Sequence, residues 1–425
     1  MYLELFSLSN LLNLFNLSEI VRLSDKTQKK DNHKAKTIRT VVEDVKRIKA
    51  KIPKKPVKGA HKSVTDDIKK LKTRIAKKKV KETKRPKHQE HPLVRSHANP
   101  IISPVHYNHW ESQGTFNPAV FEDDEGKIHL LYRAIGDDGV SRIGYAASID
   151  GVHFDDRFLY PIYEPGSVYD QIKLDSRDKI YSHYLYPSGG SWGGYEDPRT
   201  VVIEGRVYLT YVAFGGWNSV RIALTSISLE DFKKRHWNWK RPVFISPPNE
   251  LNKNWLLFPE KINGKFAILH GISPEILIDY VDNFNSFHSP NAKFIKSKKT
   301  EGGRKNYWDN WMRGAAAPPI KTGIGWLILY HAMDKEDPNK YKLGAMILDL
   351  HNPTKILYRS PEPILNPDMR YENDGKPGVV YASGAIVRDD FLYVYYGGGD
   401  KYVCVARTNL DSLLNWLRKH GNINK

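Results

Sequence analysis

The chain has 425 residues, a formal charge of +18, ten Trp, 24 Tyr and a single cysteine. One cysteine, Cys404, excludes an intramolecular disulfide and any cysteine-rich zinc site, and the absence of an 18-residue apolar run excludes an ordinary membrane-spanning helix. The charge is concentrated: residues 26–87 carry 25 Lys and Arg against six Asp and Glu, which leaves the remainder close to neutral.

Residues 1–24 read as an amphipathic helix, with Glu4, Ser7, Asn10, Asn13 and Asn16 at helical spacing and Leu5, Leu8, Leu12, Phe15 and Leu17 between them. The stretch lacks the basic start and small-residue cleavage site of a secretory leader, so a cytoplasmic location is expected. Its two readings are peripheral contact with a membrane and packing against the body. Residues 25–90 form a lysine-rich arm or linker, expected to be largely disordered or transiently helical because it has too little apolar surface to offset its ordering entropy. Its charge would attract polyanions without selectivity. Without interleaved aromatics it offers no base-stacking platform, so no specific nucleic-acid recognition is expected.

From residue 91 to 425 one phrase recurs five times: an alternating apolar strand, a short loop and a second strand. The copies begin at Gly126, Gly205, Gly264, Gly325 and Asp390, roughly 60 to 80 residues apart. An all-β, five-bladed propeller following the basic extension is the economical reading, with Arg133, His270, His331 and Asp400 at strand ends facing one funnel. Residues 411–419 read as a short closing helix on Leu413, Leu414, Trp416 and Leu417.

The densest chemical signal is the run from Gly189 to Arg199, a glycine-rich stretch read as a loop that ends in Glu196-Asp197-Pro198-Arg199. Glycines let backbone approach a ligand and Pro198 fixes the turn. Adjacent carboxylates beside an arginine allow one to stay ionised while the other is tuned for proton donation, although a loop salt bridge has the same pattern. His270 and His331 are equally readable as satisfied core histidines, Lys261 as a turn lysine, and Glu196 as a structural partner of Arg199 or a sugar contact. No histidine pair has metal-ligand spacing, so neither a metal nor a cofactor is expected.

Ordered phrases through this region carry a resemblance. Among them are Thr115-Phe116-Asn117-Pro118-Ala119-Val120, Leu131-Tyr132-Arg133-Ala134, Tyr195-Glu196-Asp197-Pro198-Arg199, Leu257-Phe258-Pro259-Glu260-Lys261, Gly314-Ala315-Ala316-Ala317-Pro318-Pro319 and Tyr395-Tyr396-Gly397-Gly398-Gly399-Asp400. The sequence resembles glycoside hydrolase family 130, the mannoside phosphorylases and β-mannosidases built on five-bladed propellers. The resemblance implies that Asp197 is the general acid, and that Asp400 binds the non-reducing mannose with Asn117, His331 and Tyr341 in the same pocket. It also implies a phosphate contact at Arg133. Lys253 stands where a basic residue is expected, but an expected Arg is Gly271 and an expected Lys is Met312, with Arg313 adjacent. Each lost charge-assisted contact removes on the order of 1.5–3 kcal/mol.

These departures lead the sequence to inverting hydrolysis of terminal β-mannosides in oligosaccharides, with Glu260 or Glu372 activating water. The alternatives are phosphorolysis, with inorganic phosphate held by Arg133, Lys253, Lys261 and Arg313 as co-substrate, and a non-catalytic carbohydrate-binding propeller.

Overall fold

The computed structural model describes residues 92–423 apart from 167–173, 175–178, 217–218, 290 and 298–301. The helix expected over residues 1–24 and the arm expected over 25–90 lie outside the described residues.

The body is nearly all β-strand, arranged in five antiparallel units. The first comprises Gly114–Glu122, Ile128–Ile135, Val140–Ser148 and Asp156–Arg157; the second comprises Gly193–Ile203, Arg206–Phe214, Val220–Ser228 and Val243–Phe244. A short parallel pairing of Val140-Ser141 with Gly193-Gly194 joins these two into one eight-stranded sheet. Leu256–Leu257, Phe266–Gly271 and Leu277–Val281 make the third unit, and Trp311–Ala315, Gly325–Asp334, Asp337–Leu348 and Ile356–Arg359 the core of the fourth. In the fifth, Val380–Arg388, Phe391–Gly398 and Tyr402–Asn409 are completed by Val94–Arg95, paired antiparallel to the last of them. The opening and closing segments of the body thus share one sheet.

Local chemistry explains the hairpins. Glu204-Gly205, Asn263-Gly264 and Asp389-Asp390 each link two paired residues with φ positive at both positions, the backbone of the hairpin turn whose twist matches its strands. The five repeated phrases are therefore the second and third strands of the units, each phrase following such a turn or a short loop. Strands buried on both faces read as continuous apolar runs. Leu327 and Leu329 enter a core shared with Val380, Val394, Leu413 and Leu417, while Trp326, Ile328 and Tyr330 enter one shared with Phe258 and Leu269. The closing helix is present as Leu410–His420, capped by the Asn409 side chain and burying Leu413, Leu414 and Leu417.

A carboxylate, a tyrosine and an arginine recur behind three units. Glu111 accepts from Tyr132 Oη at 2.8 Å and pairs with Arg157. Asp309 accepts from Tyr330 Oη at 2.9 Å and pairs with Arg359 at 2.8 Å. Glu372 accepts from Tyr396 Oη at 2.8 Å and pairs with Arg95 at 2.7 Å. In the first two the arginine comes from the unit's own fourth strand; in the last it comes from Val94–Arg95, which occupies the same place. This corrects one expectation. Glu372 is a fully buried structural carboxylate with both oxygens committed, not a base facing substrate.

A second correction concerns the run ending in Arg199. Residues 193–203 are not loop but the first strand of the second unit, broken in register between Glu196 and Arg199. A bulge accommodates Pro198, which has no N–H for the ladder.

Candidate active site

The first strands of four units lose register near their middles: between Phe116 and Ala119, Glu196 and Arg199, Met312 and Gly314, and Ala382 and Gly384. Asn117 and Asp197 occupy the first two breaks with φ of 49° and 51°, and Asn254, just before Leu256–Leu257, has φ of 65°. Asn and Asp tolerate this left-handed backbone better than other side-chain-bearing residues, and the bulge re-aims what they carry. The three side chains converge: Asn117 Nδ2 donates to Asp197 Oδ1 at 2.7 Å, and Asn254 Oδ1 accepts from Arg199 Nη2 at 3.1 Å and from Tyr381 Oη.

They line a cavity of about 380 Å³ together with Arg133, Ser188, Lys253, Arg313, Tyr341, Lys376, Tyr381 and Asp400. A second cavity of about 270 Å³ adjoins it, sharing Leu251, Lys253, Asn254 and Arg313 and reaching His270. Lys253 and Arg313 are the two cations lining both.

Asp197 is 4% exposed. Arg133 Nη1 donates to its Oδ1 at 3.2 Å, while among the described residues no hydrogen bond reaches Oδ2. Burial by itself would raise this carboxyl, but Arg133, Lys253 and Arg199, with the Asn117 amide, outweigh it and hold Asp197 well below the usual carboxylate range. Glu196, one residue earlier, points behind the cavity, where it accepts from Arg133 Nη2 at 2.9 Å, Lys253 Nζ at 3.0 Å and Ser188 Oγ at 2.9 Å. Arg133 therefore commits four of its five N–H groups to protein: Ser141 Oγ, Asp197, Glu196 and the Ser188 carbonyl. Arg199 does not touch the Asp197 carboxylate. It donates to the backbone carbonyls of Asp197 and Ala316 and to Asn254 and Tyr381, bracing the strand from behind.

The remaining expected residues divide. Tyr341 lines the cavity and accepts from Arg313 Nε at 2.8 Å. Asp400 lines it with φ of 50° and lies 3.5 Å from Lys376 Nζ. His331 is buried behind Tyr381, its ring stacked on the tyrosine at 4.1 Å. Burial, then the Arg199 guanidinium, push its pKa down to about 3, so the imidazole is neutral. His270 faces the adjoining cavity, pairs with Asp279 at 2.8 Å and is lowered by burial.

Two expected residues lie elsewhere. Lys261 pairs with Glu204 at 2.8 Å and Glu260 with exposed Lys321 at 2.6 Å; neither lines either cavity. Both belong to the turn after Leu256–Leu257, whose side chains reach neighbouring solvent-facing charges. Four lining residues with polar side chains escaped the sequence: Ser188, Asn254, Lys376 and Tyr381. Asn254 shares the positive φ of Asn117 and Asp197 but precedes Trp255 instead of a proline, so the Asn-Pro and Asp-Pro pattern does not mark it. Nothing local marked the other three either. Among the described residues no group of three His, Cys, Asp or Glu side chains could hold a metal ion.

A family described as β-1,4-mannooligosaccharide phosphorylase, glycoside hydrolase family 130, matches residues 84–419, and the chain belongs to it. It is similar to the 1,2-β-oligomannan phosphorylase of a Thermoanaerobacter species, 38% identical over 327 residues, covering 74% of this chain and 96% of that one. A β-1,2-mannobiose phosphorylase of the same source is 35% identical over 328 residues, covering 74% of this chain and 96% of the relative. Among solved structures, β-1,2-mannobiose phosphorylase of Listeria innocua bound to β-1,2-mannobiose superposes with a TM-score of 0.57 at 26% identity, covering 77% of this chain and 99% of that one. The chain is thus that of an enzyme, and the non-catalytic reading falls.

Proposed function

We propose that this enzyme is a β-1,2-mannoside phosphorylase, releasing mannose 1-phosphate from the non-reducing end of β-1,2-linked manno-oligosaccharides. The observation that carries the reading is the lining of the cavity. Asp197 shares it with Arg133, Lys253, Arg313 and Lys376, while both carboxylates proposed to activate water lie outside it. An anionic nucleophile needs cations rather than a base. The 38% and 35% identical relatives, both named for β-1,2-linked substrates, support the linkage. The hydrolytic reading rested on Gly271 and Met312 standing where cations were expected; Arg313, aimed by the bulge beside Met312, and Lys376 supply charge in their place.

In this reading phosphate sits where the two cavities meet, against Lys253 and Arg313, with the remaining N–H of Arg133 as a third contact. A phosphate oxygen bonds to the anomeric carbon as the glycosidic C–O bond breaks from the opposite face, inverting β to α. The departing oxygen takes a proton from Asp197, directly or through a sugar hydroxyl, and the shortened chain leaves with a free hydroxyl. Asp197 is ionised in the empty site, so its proton must arrive with the substrates. An anion beside Lys253 offsets part of the cationic field that holds the carboxyl down, and so raises its pKa. Asn117, Asp400 and Tyr341 hold the terminal mannose.

The same reading takes the five units as blades of a propeller with the bulged first strands innermost. Support comes from Gly114–Glu122, which lies against both Gly193–Ile203 and Val380–Arg388, and from Val94–Arg95 acting as the last unit's fourth strand.

The test is to incubate purified protein with β-1,2- and β-1,4-mannobiose, with and without phosphate. Mannose 1-phosphate from the β-1,2 isomer, formed only with phosphate, is expected. Free mannose formed equally in both conditions would overturn the proposal.

A further inference from the structure

Residues 181–190 form a strap folded on itself. Ser182 N donates to the Gly190 carbonyl, Gly190 N to the Tyr186 carbonyl, and Tyr186 N to the Ser182 carbonyl, at 3.1, 2.9 and 2.9 Å. Its C-terminal end belongs to the cavity, since Pro187, Ser188 and Gly189 line it. Ser188 is fastened to the catalytic charges: its carbonyl accepts from Arg133 Nη2 at 2.7 Å and its hydroxyl lies 3.2 Å from Lys253 Nζ. The Pro187 carbonyl accepts from Lys376 Nζ at 3.2 Å. The tip is the opposite in character. Tyr184 is 88% exposed and Leu185 72%, with the His183 ring against Tyr184 at 4.0 Å. A tyrosine carried into water on a hydrogen-bonded turn beside a ligand cavity has no folding role to explain it, and clustered exposed apolar groups of this kind mark binding surfaces.

The geometry points to the strap tip as an acceptor-side subsite, in which the Tyr184 ring stacks on a mannose unit of the substrate chain beyond the scissile linkage. This rests on the manno-oligosaccharide reading of the cavity. At about 380 Å³ the cavity is near the small end for ligand pockets, so a longer chain must emerge from it, and Pro187–Gly189 lead from its wall to the tip. A pyranose offers an apolar face of C–H groups to an aromatic ring and hydroxyls to the solvent and to His183. Tyr184 is then a determinant of chain length and takes no part in bond cleavage.

The experiment compares phosphorolysis of β-1,2-mannobiose and β-1,2-mannotetraose by wild type, Tyr184→Ala and Tyr184→Phe. In Tyr184→Ala we expect kcat/KM on the tetraose to fall by about tenfold, as for loss of one aromatic contact. The effect is expected mostly in KM, with the disaccharide changed by less than about twofold; Tyr184→Phe, which keeps the ring face, should stay near wild type. Equal losses on both sugars, or no loss on the tetraose, would overturn the proposal. Calorimetric binding of mannotetraose without phosphate is the second arm. If wild type cleaves neither sugar, the proposed function fails by itself, and the strap is judged on this arm alone. Weaker binding to Tyr184→Ala supports it, and equal or absent binding to both proteins overturns it.

Discussion

At Asp197 burial and charge act in opposite directions, and charge wins because three cationic side chains surround one carboxylate whose Oδ1 already accepts two hydrogen bonds. Replacing Asp197 with Asn keeps the shape and removes the transferable proton. Phosphorolysis of a mannobiose should drop by about 10²–10⁴-fold, and that of an activated aryl mannoside by much less, because its leaving group needs little protonation. Equal losses on the two, in a variant whose circular dichroism matches wild type, would assign Asp197 to sugar positioning. His331 gives a pH dependence with a definite sign. Its folded pKa of about 3 lies below the ordinary histidine value, so in acid the unfolded chain binds a proton that the folded chain refuses. Stability is therefore complete above about pH 6.5 and declines as pH falls towards the folded value, by up to a few kcal/mol. Denaturant unfolding at pH 7.5 and pH 5 should show a smaller difference in His331→Asn than in wild type; an unchanged difference would mean that the imidazole is charged in the folded protein.

At the scale of elements, the carboxylate–tyrosine–arginine sets and the bulges do different jobs with similar residues. Glu372 looked like a catalytic candidate because a lone sequence cannot separate a carboxylate that faces substrate from one that fastens strands. Its partners, Arg95 and Tyr396, are 277 and 24 residues away. Glu372→Gln leaves Arg95 facing a neutral amide, which should cost about 3–5 kcal/mol as other broken buried pairs do. Turnover measured well below the lowered Tm should stay within about twofold. A loss of turnover with Tm intact would restore Glu372 to the mechanism. The bulges explain why Glu196 and Asp197, adjacent in sequence, separate into a buried brace and a cavity-lining acid. In a regular strand neighbours alternate faces, and the register break adds the turn that aims Asp197 inward.

At the scale of the molecule, almost all excess charge lies in residues 26–87, outside the part that carries the cavity. We expect deletion of 26–87 to leave turnover on mannobiose within about twofold while abolishing salt-sensitive retention on a polyanionic matrix. Loss of activity in a folded truncation would instead tie this segment to the catalytic site. Completion of the last unit by Val94–Arg95 makes a second demand on this part of the chain. A truncation that removes Arg95 takes away the partner of Glu372 as well as a strand, and should unfold at a lower temperature than one ending before residue 91.

The strand pattern, the charge partition, the closing helix and the place of Asp197 in a cavity wall were legible in the sequence, because alternation, composition and a short ordered motif are local properties of the chain. The set of cations that lines the cavity was not. Counting cations along the sequence scored Met312 and Gly271 as losses, whereas the bulge beside Met312 turns Arg313 into the cavity and the segment before Val380–Arg388 brings Lys376 to it from another unit. Glu260 and Lys261 failed for the converse reason: a matching phrase preserves the order of residues along the chain, but a turn residue's side chain goes where its neighbours in space direct it, here to Lys321 and Glu204. Periodicity fixes which face of a strand is buried; only the packing of five units against one another decides which charges meet.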